Sequence, residues 1–175
     1  LSIPEVNELD SVLLVGADPR MEVPVLAIRL RDAVKKGAKV SFLGSYSADQ
    51  LHPFHAEIIA HPFDWVSELA AVVAKVANMK GESVRTELIS VINSDSINED
   101  AVISIAEQFL KGEREWIVLG HDAISHPQFA TIRALSAELA RLTGAKLGYF
   151  TPGSNSSGAA LTALTTEGNN SATML

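Results

Sequence analysis

The chain has no cysteine. That absence removes thiolate-held zinc, iron–sulfur clusters, disulfides and cysteine nucleophiles together, so any electron carrier associated with the chain has to sit elsewhere. Basic residues are also few: 14 Lys and Arg stand against 21 Asp and Glu, a formal net charge of -7. Such a balance repels a phosphate backbone or an anionic membrane face at long range and speaks against a nucleic-acid partner. No apolar run approaches the roughly 20 residues of a membrane helix, and Leu1 to Asp10 has neither the basic start nor the apolar segment of a signal peptide. Direct membrane insertion is therefore not expected. Low-complexity tracts and internal repeats are missing too.

What is present fits one packed domain: 47% of the 175 residues are hydrophobic and 20% are charged, enough to bury a single core. The chain opens without Met and enters a predicted strand almost at once, which suggests a piece of a longer polypeptide. Ser11 to Val15 (SVLLV) is a short continuous apolar run ended by Gly16, the pattern of a central parallel strand covered on both faces. Helical spacing of Val23, Leu26, Ala27, Leu30, Ala33 and Val34 predicts a helix over about 23 to 36. Lys39 to Leu43 then restores the two-residue strand period and completes a strand–helix–strand unit, expected to be right-handed.

Ala56 to Ala60 is a further, short strand candidate. Asp64 is a cap candidate for a buried helix through Leu69, Val72, Val73 and Val76, whereas Gly81 to Ser94 fits strand and helix equally. A helix from Ser96 to Gly112, a strand Glu115 to Leu119 ending at Gly120, and a helix from Pro127 to about Thr143 repeat the strand–turn–helix order. Lys146 to Phe150 is the last strand candidate, and Gly153 to Gly168 reads as a small-residue loop with one short helix. The expected fold is a three-layer α/β/α sandwich with a doubly wound, mainly parallel sheet over residues 1–165, followed by a flexible tail, 166–175.

In such a sheet a ligand crevice lies beyond the carboxyl ends of the strands, which nominates Gly16 to Arg20 and Gly120 to His126. Gly16 permits a tight turn, Asp18 can cap the following backbone, and Arg20 can pair with a phosphate or carboxylate. The turn lacks the second and third glycines of a dinucleotide fingerprint and the G-x-x-x-x-G-K of a phosphate loop. Gly153-Ser-Asn-Ser-Ser-Gly158 can be a flexible loop or a backbone nest for an anion.

His52 and His55, and His121, Asp122 and His126, raise a metal reading. Pro53 interrupts the first pair and no H-E-x-x-H helix exists, so loop histidines bonded to backbone are expected instead. Ser125 has no G-x-S-x-G elbow, and no catalytic residue is assigned. Trp65 and Trp116 read as core.

The segment Leu13-Leu14-Val15-Gly16-Ala17-Asp18-Pro19-Arg20, then Glu22, Pro24-Val25-Leu26, Arg29-Leu30-Arg31 and Gly37-Ala38-Lys39-Val40, resembles a segment of the large iron–sulfur subunit of bacterial NADH:quinone oxidoreductases (respiratory complex I, an NADH dehydrogenase). A second stretch is similar to another region of that large subunit: His126-Pro127-Gln128, Ile132-Arg133-Ala134-Leu135, Leu142-Thr143-Gly144-Ala145, Leu147-Gly148-Tyr149 and Gly153-Ser154-Asn155-Ser156-Ser157-Gly158-Ala159. The likeness covers roughly the first 45 and the last 50 residues. It implies a molybdopterin-oxidoreductase-like domain, of the formate dehydrogenase/DMSO reductase type, that kept the fold and lost its cofactor.

In the wider superfamily a "G-x-N-P" turn contacts a pyranopterin guanine dinucleotide. Asp18 stands here in place of its Asn, and the second strand ends Leu43-Gly44-Ser45 rather than in "D-P-R". The resemblance therefore implies a vestigial crevice, formed by Gly16, Asp18, Pro19, Arg20, Gly120, Asn155, Ser156 and Gly158, with no cofactor and no metal. It also implies iron–sulfur clusters in preceding domains, the other subunits of complex I as partners, and a peripheral place on the cytoplasmic side of the bacterial inner membrane. Two alternatives stay open: a genuine molybdopterin-guanine-dinucleotide-binding domain of an oxidoreductase, and an NAD-binding module.

Overall fold

The computed structural model describes residues 3–47, 49–92, 96, 98–151, 153 and 156–162. Five strands form one sheet: β1 (Ser11–Val15), β2 (Lys39–Gly44), β3 (Ala56–Ile59), β4 (Glu115–Leu119) and β5 (Lys146–Tyr149). Their order is β3-β2-β1-β4-β5, and every neighbouring pair is parallel. Seven α-helices accompany them among the described residues: α1 (Pro19–Glu22), α2 (Pro24–Lys35), α3 (Trp65–Lys80), α4 (Glu99–Lys111), α5 (His121–Ile124), α6 (Phe129–Thr143) and α7 (Ser156–Leu161).

The two-residue alternation of β1 assigns its side chains to two cores. Leu13 and Val15 join α3, α4 and α6 through Leu69, Val73, Ile105, Leu135 and Leu139. Val12 and Leu14 join α2 and the short 3-10 helix Pro4–Glu8 through Leu30 and Val6. Both faces are thus covered, which is why β1 and β4 read as unbroken apolar runs. From the β1–β4 boundary the chain winds outward both ways, to β2 and β3 on one side and to β5 on the other. Right-handed crossovers running in opposite directions place their helices on opposite faces, as α2 and α6 lie here. The α/β sandwich and central β1 match the sequence expectation.

Local chemistry moved several boundaries. The helix expected over about 23 to 36 runs from Pro24 to Lys35, and the non-helical Val23 (φ -143°, ψ 73°) separates it from α1, because Pro24 lacks an N–H and disfavours the α region for the residue before it. Asp64 makes no side-chain cap bond to α3; the 3-10 turn Pro62–Asp64 runs straight into that helix. The stretch after Gly81 forms a loop with the 3-10 turn Thr86–Leu88, while Ser94 lies outside the described residues. That loop is pinned by Glu138, whose buried carboxylate accepts from the Arg85 N–H at 2.9 Å and pairs with the Arg85 and Arg141 guanidiniums at 3.1 and 3.0 Å. Burial pushes the Glu138 carboxyl up, but the Arg141 bonds and the Arg85 amide outweigh it and hold it below the usual range. The α4 helix starts at Glu99 rather than Ser96, whose hydroxyl is engaged with Glu68 at 2.5 Å and with the Asn98 N–H at 2.9 Å. Pro127 precedes α6, and Gly120 to His126 contains α5, not a bare turn.

One polar side chain crosses into the sheet from below. Gln108 of α4, 1% exposed, donates from Nε2 to the Val12 and Lys39 carbonyls at 3.1 and 3.0 Å. It accepts from the Ser41 hydroxyl at 2.5 Å. It therefore ties one helix to both β1 and β2 with no donor or acceptor wasted. Gln108→Leu strands the Ser41 hydroxyl in the core and should cost about 2–4 kcal/mol. Urea unfolding measures this, and Gln108→Leu combined with Ser41→Ala should recover part of the loss.

Glu115, which opens β4, is the opposite case. It is 5% exposed, and no well-formed hydrogen bond reaches either of its carboxylate oxygens. Burial pushes its carboxyl up to about 7, with Thr143 and Lys80 opposing only in part. The folded state therefore holds this proton more tightly than the unfolded chain. Below the unfolded value of 4.5 the site costs nothing; its penalty builds as pH rises to about 7 and is then constant, on the order of 3 kcal/mol at most. Glu115→Gln should raise the urea midpoint near pH 8 and leave it unchanged near pH 4. A midpoint equally shifted at both pH values would refute the charge argument.

Candidate functional site at the sheet switch point

Because β1 and β4 are neighbours whose crossovers diverge, the turns leaving them, Gly16 to Asp18 and Gly120 to Asp122, face one another at the switch point. Gly16 adopts φ 51°, the left-handed region that glycine enters without strain. Its N–H donates to the Leu43 carbonyl at 2.8 Å, the Gly120 N–H donates to Val15 at 3.0 Å, and the Asp122 N–H donates to the Gly16 carbonyl at 3.2 Å. The two turns are therefore packed backbone against backbone. A Cβ on Gly120 would stand 2.2 Å from the Ala17 Cα, and one on Gly16 would stand 2.6 Å from the Ala123 nitrogen and 2.7 Å from the Trp65 ring. These glycines serve the approach of the chain to itself, where a cofactor cradle needs glycines that leave room for a ligand.

Asp18 is the N-cap of α1, as its position before Pro19 predicts. Its Oδ1 accepts from the Arg20 and Met21 N–H groups at 3.1 and 3.3 Å and from Gln50 Nε2 at 2.8 Å. Pro19 is buried at the first helical position. The Arg20 guanidinium turns to Asp49, bonding its carboxylate at 2.8 Å and its carbonyl at 2.9 Å in a solvent-exposed pair.

The decisive side chain is Glu22. Its Oε1 accepts from the Asp18 N–H at 2.6 Å and its Oε2 from the His121 N–H at 2.8 Å, so one carboxylate spans both turns. Burial pushes its carboxyl up, the two backbone donors pull it down, and Asp122 adds to the rise. The same field reaches Tyr46, whose hydroxyl is pushed up first by burial and then by Asp18, Asp122 and Glu22. The rim of the switch point is consequently acidic. Beside it a cleft of about 320 Å³ is lined by Met21, Glu22, His121, Thr151 and Gly153.

The remaining candidates separate. Ser156 and Gly158 lie on α7, and Asn155 lies outside the described residues, as does the tail. His126 faces Pro62 through Nε2 at 2.9 Å, accepts the Gln128 N–H at Nδ1 at 3.0 Å and stacks on Trp65; it is the backbone-bonded loop histidine expected. His52 Nδ1 lies 3.1 Å from the Pro53 carbonyl. Among the described residues no group of three His, Asp or Glu is placed to hold a metal ion.

Sequence reasoning named Glu22 only within a matched segment and passed over Asp49 and Gln50. A signal for Glu22 existed. Asp18 as N-cap with a Glu four residues on is the reciprocal arrangement of a capping box displaced by one residue, in which the carboxylate reaches back to the cap's own N–H.

Comparison with known proteins adds the family. A chain of the formyltransferase/hydrolase complex FhcABCD from Methylorubrum extorquens, solved with methylofuran, superposes with a TM-score of 0.54 at 18% identity over 93% of this chain. At that identity the likeness concerns the fold, and the present chain spans 42% of that chain's length. A search of curated proteins returns no match. The family model described as molybdopterin oxidoreductase matches residues 2–174, and so the chain belongs to the molybdopterin oxidoreductase family.

Proposed function

We propose that this chain is a cofactor-free scaffold domain within an oxidoreductase, in the manner of the large iron–sulfur subunit of NADH:quinone oxidoreductase. On this reading it supports electron transfer from NADH to quinone while the carriers sit in other domains. The carrying observation is the charge at the switch point. A dinucleotide pyrophosphate brings two or more negative charges and needs backbone donors or cations to meet it. Here the carboxylates of Asp18, Glu22 and Asp122 surround the place, Arg20 is paired with Asp49, and the Asp18 and His121 N–H groups are occupied. Among the described residues the group that gives the family its name finds no fit, and no chemical step is assigned to it.

A second feature supports packing against neighbours. Val25 and Ile28, three residues apart on α2, are 56% and 54% exposed, and Met21 on α1 is 77% exposed. Exposed apolar side chains that cluster on a surface cost solubility unless another surface covers them. The other subunits of the complex are the proposed cover, and the domain's place is peripheral, on the cytoplasmic side of the membrane. No helix among the described residues is long and apolar enough to cross a membrane.

Calorimetric titration with molybdopterin guanine dinucleotide and with NAD should give no saturable heat up to about millimolar ligand. Micromolar binding of the first would make this a true cofactor domain, and of the second a nucleotide module. Tagged at its native locus, the protein should co-purify with NADH:quinone reductase activity from detergent-extracted membranes. Recovery free of that activity would remove the complex I assignment.

A further inference from the structure

We infer that Glu22 is an internal closing contact: its carboxylate sits where an anionic ligand would have to bind and holds the β1 and β4 turns together in the absence of one. The inference rests on the cofactor-free reading of the switch point and specifies the group responsible for it. Three observations carry it. The two donors that Glu22 takes, the Asp18 and His121 N–H groups, come from different turns far apart in sequence, and they converge on one side chain at 2.6 and 2.8 Å. Glu22 also lines the cleft with Met21, His121, Thr151 and Gly153, so the side chain that takes the two donors borders that space. Finally, the bonds that hold Glu22 come from backbone N–H groups, whereas Arg20, two residues away, pairs with Asp49.

A carboxylate and a phosphate present similar oxygen acceptors to a pair of N–H groups. A tethered one fills the site without the translational cost that a free ligand bears. An anion can therefore bond to these donors only by displacing Glu22, against the charge of Asp122 beside it. Glu22 is in this sense a residue that determines specificity by exclusion.

Amide exchange read by NMR at Asp18 and His121 tests the contact, with the Ile124 N–H, bonded to Gly120 within its own turn, as internal control. In Glu22→Ala both amides should exchange at least about tenfold faster while Ile124 is unchanged. Adding formate, an untethered carboxylate, should restore their protection where chloride at equal ionic strength does not. Glu22→Gln keeps the shape but offers one acceptor oxygen, so one amide should be freed and the other kept; it serves should the alanine variant fold poorly. The inference is overturned if both amides stay slow in Glu22→Ala and in Glu22→Gln. It is equally overturned if they become fast and formate has no more effect than chloride, for then the turns are rearranged rather than vacated. Inorganic pyrophosphate added to the wild type separates the two readings. Shifts at the Asp18 and His121 amides would end the cofactor-free proposal while leaving Glu22, if the two variants behave as expected, as a displaceable gate.

Discussion

The approach of two strand ends to within van der Waals contact governs this molecule. With Gly120 packed on Ala17 and Gly16 packed on Ala123 and Trp65, the backbone of one turn serves as the wall of the other. Everything around the switch point follows from that closeness. The N–H of Asp122 is satisfied by Gly16 and the N–H of His121 by Glu22, so the first donors of α5, which have no partner within the helix, are met from the neighbouring turn and from α1. The close approach of the turns brings the Glu22 carboxylate against both, where it accepts from the part-buried Asp18 N–H and from the exposed His121 N–H.

Neighbouring carboxylates raise one another's energy as well as that of any anion that approaches, and on Glu22 and Tyr46 this adds to an upward push that comes first from burial. A family fold is inherited as a shape, while function is written in the side chains that line it. Here the molybdopterin oxidoreductase family model matches residues 2–174, and the side chains at the switch point include the carboxylates of Asp18, Glu22 and Asp122.

The layers were legible in the chain because burial on both sides forces unbroken apolar strands: SVLLV and EWIVL announce β1 and β4 without help from context. Edge strand β3 was harder, since only Ile58 of its four residues is buried and its pattern is correspondingly faint. Gln108 could not be read at all; a glutamine on an amphipathic helix looks like a surface residue until the strands beneath it offer carbonyls. Arg20 could be named from the turn as a cation able to meet a carboxylate, but the carboxylate it meets, Asp49, is 29 residues away, beyond the reach of local spacing. Asp18 was readable as a cap, but the meeting of Asp18 with His121 through Glu22 depends on sheet order, which a sequence pattern does not encode.

The two tryptophans sit on opposite sides of the sheet. Trp65 belongs to the layer of α3, α4 and α6, beneath Gly16, and Trp116 to the layer of α2, with Phe150 at its edge. Both indoles are almost wholly screened from solvent, and the chain contains no others. Emission from each ring thus reports the hydration of one slab of the sandwich, which gives this molecule a built-in optical probe for whether its two hydrophobic halves assemble together or in turn.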